Sequence, residues 1–303
     1  MSNGIGTTVQ VGRRTVELSN LGKILYPATG FTKGQVIEYY RAIAPVLLPH
    51  LKGRPLTLKR YPDGVGAFHF YEKQCPRHRP PWVKTITVPS ERRGELEFCS
   101  VNTVADLLWV ANLASVELHV LLSTAKDLQR PTHLVFDLDP GTPATLLDCI
   151  QVAFDLRRLL RKFGLASFPK TSGGKGLHLY IPLNTPVTFE ETKGFAHAIA
   201  LLLERQQPDQ VTSVMVKKLR VGKVFIDWSQ NDDHKTTVCP YSLRAMPRPT
   251  VSTPVTWEEL GEALDQEDPS LVEFEAPEVI ARVGREVDLF EPVLSLKQKL
   301  PEV

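Results

Sequence analysis

Apolar positions recur at two spacings along this chain, and they divide it into helices and strands. Near the start, Val9, Val11, Val16 and Leu18 are mixed with polar residues, which predicts a short strand-bearing lead-in over 1–20. Val36, Ile37, Tyr40 and Ile43 then fall at helical spacing behind Thr32, a suitable N-cap. A helix is predicted from there to about Leu48, with Pro45 marking its end. Segments 54–60 and 67–72, joined by the turn Pro62-Asp63-Gly64, predict strands, as does 84–89, and a helix is predicted over 102–112. This first half has the pattern of an α/β lobe.

The second half is patterned more sharply. His133 to Asp139 is an apolar run that ends in acid and runs into Pro140 and Gly141. Pro143 is read as opening a long amphipathic helix that ends near Gly164, after basic residues that suit the negative end of the helix dipole. Strands over 166–170 and 177–182 flank the turn Ser172-Gly173-Gly174, and a helix covers about 188–206. Val224 to Trp228 reads as a strand that again ends in acid. The tail from 246 is rich in proline and charge, with a helix capped at Thr256 ahead of Trp257, Glu258 and Glu259. No repeat, low-complexity tract or clear linker interrupts the pattern.

Composition narrows the picture only slightly. At 303 residues, 42% of them hydrophobic and 23% charged, the chain suits one large globular domain or two intimately packed halves. A formal charge of +2 does not announce a nucleic-acid binder, so local clusters of charge must carry any such claim. Cys75, Cys99, Cys149 and Cys239 form no C-x-x-C pair and are expected to be reduced, mostly buried thiols. Met1 to Val11 is polar, without the apolar core of a signal peptide, and no apolar run approaches the roughly 20 residues a bilayer span needs. A cytoplasmic protein with no membrane partner is expected.

The chemistry starts at the acidic strand ends. Residues i and i+2 of a strand share a face, so Asp137 and Asp139 project together. Two like charges so close repel and lose solvation unless a cation neutralises them. A hard ion such as Mg²⁺ or Mn²⁺ prefers such oxygen ligands. Asp227, ending a second strand, could complete a three-carboxylate cluster suited to two metals about 4 Å apart. Acids that merely cap turns after strands are the plain alternative.

Beside them lies Lys170-Thr171-Ser172-Gly173-Gly174-Lys175-Gly176-Leu177-His178. Glycines let consecutive N–H groups point at one anion, Ser172 offers a hydroxyl, and Lys175 offers a point charge for phosphate. Leu177, Leu179 and Ile181 take one strand face, which leaves His178 and Tyr180 on the other, with His178 expected to be exposed to the turn and its ligand. The pattern is neither a Walker A loop nor a dinucleotide fingerprint, and an ordinary glycine hairpin is the alternative. Lys217, Lys218, Arg220 and Lys223 precede the Asp227 strand and Arg244 follows it. Arg220 and Arg244 are read as phosphate contacts, since arginine beside carboxylates needs an anion between them. The lysines are read mainly as solvated surface.

In order, Asp137-Leu138-Asp139-Pro140-Gly141, Ser172 through His178, Phe225-Ile226-Asp227-Trp228-Ser229-Gln230-Asn231 and Cys239 through Ala245 resemble the polymerase domain of bacterial DNA ligase D. That domain belongs to the archaeo-eukaryotic primase superfamily. The likeness runs from Leu18 through Trp257. It implies an α+β primase fold: a catalytic sheet like that of an RNA-recognition module, flanked by helices, with a smaller N-terminal α/β lobe. A single primase-polymerase domain over 1–303 is expected, with lobes at about 1–115 and 116–303.

The resemblance further implies a template-dependent nucleotidyltransferase that adds ribo- or deoxyribonucleotides to a primer 3′ end at DNA breaks or short gaps. Asp137, Asp139 and Asp227 match its metal-binding triad, with two Mn²⁺ or Mg²⁺ ions per site. His119, Ser172, Lys175, His178, Arg220, Gln230 and Arg244 match residues that hold the nucleoside triphosphate. Lys23, Lys33, Lys52 and Arg54 are candidates for a downstream 5′-phosphate. Phe68 and Phe70 are candidates for stacking on a template base, or else alternating core residues of a strand. DNA with gaps, overhangs or breaks, Ku and a DNA ligase are the implied partners, with the nucleoid as the place of action. Val120-Leu121-Leu122-Ser123 departs from the Pro and Trp usual after His119, and no K-x-D-G ligase motif occurs. The chain is therefore a stand-alone polymerase or a piece of a longer ligase. The alternatives are a two-metal nuclease and a non-catalytic module that binds DNA ends.

Overall fold

The computed structural model describes residues 6–90, 94–285 and 288–301, so residues 1–5 of the predicted lead-in lie outside it. The chain forms two compact units. One takes Met1–Val120, Tyr241–Val251 and Glu275–Val287; the other takes Leu121–Pro240, Ser252–Phe274 and Asp288–Val303.

In the first unit the lead-in is an antiparallel hairpin of β1 (Thr7–Val11) and β2 (Arg14–Leu18). A shorter hairpin, β3 (Ile24–Tyr26) and β4 (Phe31–Thr32), delivers Thr32 to the N-terminus of α1 (Lys33–Ala42). There Thr32 Oγ1 accepts from the Gln35 N–H while the Gln35 side chain accepts from the Thr32 N–H. The one helix predicted here is two. The chain breaks at Ile43, and α2 (Ala44–Leu51) starts afresh with Pro45 in its first turn. A first turn needs no N–H at that position, so Pro45 begins a helix rather than ending one.

The unit continues through β5 (Leu56–Arg60), β6 (Phe70–Glu72), β7 (Lys84–Ser90), β8 (Gly94–Ser100), α3 (Val104–Asn112) and β9 (Ser115–Leu121). In its sheet β9, β5, β8 and β7 lie side by side, and β6 pairs with β5. Neither β8 nor β9 is predicted from the pattern. β9 alternates Val116, Leu118 and Val120 with polar residues, and it is buried along its whole length, polar positions included. The cysteine expectation is corrected for one pair: Cys75 and Cys99 form a disulfide, with Cα atoms 4.9 Å apart. The Cys75 N–H donates to the Glu97 carbonyl at 2.6 Å, which draws the two thiols together across 24 residues; no sequence spacing announces that pairing. Cys149 and Cys239 are free and buried.

The second unit opens with a hairpin of β10 (Ser123–Thr124) and β11 (Asp127–Pro131), followed by β12 (His133–Pro140). The helix α4 (Leu146–Lys162) starts later than predicted. Thr145 is its N-cap, with the Asp148 carboxylate accepting the Thr145 N–H at 2.7 Å, and Pro143 stands ahead of the helix instead of opening it. Then come β13 (Phe168–Thr171), β14 (Leu177–Pro182), α5 (Phe189–Gln206), β15 (Val211–Thr212), β16 (Val224–Asp227) and α6 (Trp257–Asp265). The sheet order is β13-β14-β12-β16-β15, antiparallel except for the β15–β16 pair.

One face of this sheet is dry. Leu134, Phe136, Leu138, Leu177, Leu179, Ile181, Val224 and Ile226 pack against Ile150, Ala153 and Leu156 of α4, Phe195, Ile199 and Leu203 of α5, and Leu260 of α6. Each such fully buried side chain contributes about 1.5–3 kcal/mol of transfer free energy, which locks the register of the strands. The other face therefore receives residues 135, 137 and 139 of β12, 178 and 180 of β14, and 225 and 227 of β16.

Gly176 sits where β12 passes closest: a Cβ there would lie 2.2 Å from the Leu138 carbonyl oxygen. Gly194, on the exposed side of α5, has nothing within 4 Å of such a carbon. Gly176→Ala should lower the free energy of unfolding by about 1–3 kcal/mol or more. Gly194→Ala should raise it by about 0.5–1 kcal/mol, because alanine loses less backbone entropy in a helix. Chemical denaturation of the two variants beside the parent checks both signs.

Candidate active site

The strand register assembles the acidic residues. Asp137 on β12 is paired directly with Asp227 on β16 and with His178 on β14, and His178 is paired in turn with Lys170 on β13. Lys170, His178, Asp137 and Asp227 thus form one transverse row across four strands. Asp139 lies two residues further along β12, on the same face and opposite Phe225. All three aspartates therefore stand on the face that α4, α5 and α6 do not cover.

Hydrogen bonds orient the carboxylates. Gln230 Nε2 lies 3.4 Å from Asp137 Oδ2 and 3.3 Å from Asp227 Oδ2, a single amide spanning both acids. Asp227 Oδ1 accepts the N–H of Ser229 at 2.9 Å and also its hydroxyl. A 3₁₀ turn at Trp228–Gln230 brings these donors round. Asn231, fully buried, fastens that turn to the sheet: its Oδ1 accepts from the Val135 N–H and its Nδ2 donates to the Val135 carbonyl, each at 2.8 Å. Asn231 is a supporting residue that the sequence offers only as the end of a motif.

Three carboxylates on one face make an all-oxygen donor set, which fits a hard divalent cation. A second acidic group lies nearby. Ligating atoms of Asp232, Asp233 and His234 come within 4.8 Å of one another, but Lys193 and His234 already form ion pairs with Asp232.

The glycine turn is braced by the hydroxyl expected to serve a ligand. Ser172 Oγ accepts the N–H groups of Gly174 and Gly176, each at 3.1 Å, and the Ser172 N–H donates to the Gly176 carbonyl at 2.9 Å. Gly173 has φ +68°, the left-handed region that glycine enters without strain. Lys175 projects from the turn into solvent. His178 is on the expected face but is 4% exposed, so the expectation of an exposed imidazole is corrected. Its Nε2 lies 3.3 Å from Asp137 Oδ1.

Arg220 follows a 3₁₀ turn at Lys217–Leu219 and lays its guanidinium over the Phe225 ring, 3.5 Å from the centroid, while donating to the Met215 carbonyl. Phe225 lies opposite Asp139 in the sheet, which draws Arg220 toward the acidic face. Gly141 permits this approach, since a Cβ there would stand 1.8 Å from the Arg220 carbonyl oxygen. Lys217 and Lys218 are exposed, and Lys223 donates to the Pro208 carbonyl.

The remaining predicted residues belong to the first unit. His119 Nε2 lies 2.9 Å from Glu117 Oε2, and Arg244 Nε lies 3.4 Å from the same oxygen. Glu117 Oε1 also faces Lys59 at 3.2 Å, the Tyr61 hydroxyl at 3.0 Å and the Ala245 N–H at 3.1 Å. Burial by itself would raise the Glu117 pKa. The hydrogen bond with His119 and the charges of Arg244, His119 and Lys59 instead hold it well below the usual carboxylate range. Burial pushes the His119 pKa down, against the pull of Glu117. Glu117 is the hub that sequence reasoning missed; its signal is a carboxylate two residues before His119 on the same face of an alternating strand.

Lys23 and Lys33 line one cavity of about 710 Å³ together with Arg60, His78, Trp82 and Trp109. Arg60 joins them unpredicted, while Lys52 and Arg54 are not among the lining residues. Lys33 is 5% exposed and donates to the Ser19 carbonyl at 2.7 Å. Burial, followed by the charges of Lys23 and Arg60, lowers its pKa to about 8. Lys23 pairs with Asp63 at 2.8 Å. Phe68 is 74% exposed, and its ring stacks on that of Phe70 with centroids 5.9 Å apart, so neither is an alternating core residue of a strand. Among the described residues, no helix is long and apolar enough to cross a membrane.

Comparison with known proteins agrees with this geometry. The family model for the LigD primase-polymerase domain matches residues 32–290. The multifunctional non-homologous end joining DNA repair protein LigD of Mycobacterium tuberculosis is 44% identical over 284 residues, covering 91% of this chain and 36% of the relative. The bifunctional non-homologous end joining protein LigD of Bacillus subtilis is 36% identical over 250 residues, covering 82% of this chain and 40% of the relative. The chain thus spans little more than a third of the length of these curated relatives. Among solved structures, the polymerase domain from Mycobacterium tuberculosis Ligase D in complex with DNA matches with a TM-score of 0.85 at 42% identity, covering 93% of this chain and 99% of that one. On these matches, this chain belongs to the LigD primase-polymerase domain family.

Proposed function

We propose that residues 1–303 work as one primase-polymerase domain that adds ribo- or deoxyribonucleotides to a primer 3′ end, directed by a template strand, at DNA breaks and short gaps in non-homologous end joining. The observation that carries this reading is the row Asp137–Asp227 with Asp139 alongside, set beside the turn Ser172–Gly176 on the polar face of the sheet. Asp137, Asp139 and Asp227 would hold two divalent ions, Mg²⁺ or Mn²⁺. Bound there, such ions supply Lewis-acid activation of a hydroxyl and neutralise charge on a triphosphate.

The chain's own residues do the positioning. Gln230 holds the Asp137 and Asp227 carboxylates in a shared orientation, and Ser229 fixes the other oxygen of Asp227. Ser172 keeps the turn in shape, while Lys175, His178 and Arg220 supply donors for an incoming triphosphate. His119 and Arg244 serve the nucleotide in the same way, with Glu117 setting the orientation of both. Donors fixed in advance are worth most where water is excluded, since they need not reorganise during reaction.

The cavity of Lys23, Lys33 and Arg60 takes the downstream 5′-phosphate of a gap, and the Phe68–Phe70 stack takes a template base. DNA ends, nucleoside triphosphates, Ku and a DNA ligase are the partners this role requires, and the nucleoid of the cytoplasm is where it would act.

Asp137→Asn and Asp227→Asn should each abolish primer extension in Mg²⁺ or Mn²⁺ while retaining affinity for gapped DNA. Extension at near the parental rate by either variant, followed on denaturing gels, would falsify the assignment. Lys33→Met should reduce the preference for a 5′-phosphorylated gap over a hydroxyl-ended one by at least about tenfold, as expected for a hydrogen bond to a charged group worth about 1.5–3 kcal/mol.

The same lysine gives the preference a pH dependence. Below about pH 8 Lys33 carries its proton and binding of the phosphate should be nearly independent of pH. Above it, binding must take up a proton, so Kd for the phosphorylated gap should rise, approaching about tenfold per pH unit. Fluorescence anisotropy from pH 7 to 9.5 reads this directly. A flat profile there would remove Lys33 from the phosphate site.

A further inference from the structure

Lys170 has no part in the reading above, although it ends the row that carries the aspartates. It is fully buried, 0% exposed, and faces His178, Ser252 and Tyr180 of its own unit. Its Nζ lies 3.2 Å from His178 Nδ1, 2.5 Å from Ser252 Oγ and 5.5 Å from the centre of the Tyr180 ring. On the far side of the imidazole, His178 Nε2 lies 3.3 Å from Asp137 Oδ1.

The direction of these hydrogen bonds can be worked out from the hydroxyl. Ser252 has one hydroxyl hydrogen, which it donates to the Thr171 carbonyl at 2.9 Å. Its oxygen therefore accepts from Lys170. The ring face of Tyr180 favours a cation at that distance. An ammonium has three donors and no acceptor, so His178 Nδ1 must accept as well. An imidazole that accepts at Nδ1 carries its proton on Nε2, the atom turned toward Asp137. Ser252 at 0% and His178 at 4% exposure leave bulk water little access to reverse this polarity.

We propose that Lys170 is a positioning residue that fixes His178 in the Nε2–H form, so that the imidazole always presents a donor toward Asp137 and the anion beside it. The consequence rests on the reading of His178 as a nucleotide contact. An Nε2–H attracts a phosphate oxygen, whereas an Nε2 lone pair repels it. Lys170 acts on the site through His178.

The test uses the full chain, labelled with ¹⁵N-histidine, with His178 assigned by the signal lost in His178→Gln. The ¹⁵N shifts of the parent protein should show Nδ1 unprotonated and Nε2 protonated. In Lys170→Met, of similar volume but without a donor, the single Nε2–H form should give way to a mixture. The KM for the incoming nucleotide should rise about tenfold, with a smaller change in kcat and unchanged affinity for gapped DNA. A proton on Nδ1 in the parent overturns the assignment, whether or not the variant folds. So does a folded variant that keeps one Nε2–H form and the parental KM. A parent protein with the Nε2–H form that extends no primer would instead sink the polymerase reading and leave the role of Lys170 standing.

Discussion

The site depends on a single constraint, the register in which β14, β12 and β16 pair. Side chains alternate along a strand, so a shift of one residue would turn Asp137 and Asp139 into the core and bring Phe136 and Leu138 out. The apolar residues on the other face forbid that shift. Eight buried positions on β12, β14 and β16 are closed over by three helices, and the free energy of their burial far exceeds the repulsion among three acids. The acidic face is thus held in place by the packing of the face behind it.

That repulsion is still large enough to matter. Two unit charges about 4 Å apart interact by about 4 kcal/mol at an effective dielectric constant of 20. The hydrogen bonds to Asp227 come from Ser229 and Gln230, both uncharged, and Gln230 reaches Asp137 as well. Such donors orient a carboxylate without cancelling its charge. Glu117 is the contrast within the same chain: Lys59 and Arg244 stand against it, and its charge is spent on holding them and His119. Glu117 is a structural hub, and its contrast with Asp227 lies in the partners rather than in the residue type.

Much of this was legible in the sequence, for identifiable reasons. β12 is an apolar run closed by acid, β14 and α5 show clean periodicity, and Thr188 and Thr256 are capping residues. The acidic pair followed from alternation alone. What failed to show was whatever depends on partners far away in sequence. The break at Ile43 and the role of Pro45 follow from packing around two short helices, and local propensity treats them as one. β9 was legible too: Val116, Leu118 and Val120 alternate with Ser115, Glu117 and His119, and the three polar residues are buried by partners that the local pattern does not announce. The Cys75–Cys99 bond joins residues that share no motif. Arg60 was not singled out, because its place beside Lys23 and Lys33 is set by the pairing of β5 with β6.

Histidine 178 shows how a correct strand face can still mislead about environment. Alternation placed it opposite the leucines, and the natural inference was a solvated imidazole beside a flexible turn. The neighbouring strand changes that. β13 brings Lys170 to the same row, and the Ser252 segment closes over both, so the imidazole is buried with its two nitrogens in different company. Burial restricts the ring to one orientation and lets a neighbour decide which nitrogen bears the proton. A polar row inside a sheet can in this way carry directional information from one strand to the next: each group that can only donate forces its neighbour to accept. Solvent exposure would erase such ordering, because water can donate or accept at any atom. The dryness of the row is therefore part of its chemistry, and the face that binds charge needs a buried flank as much as the opposite face needs its hydrophobic core.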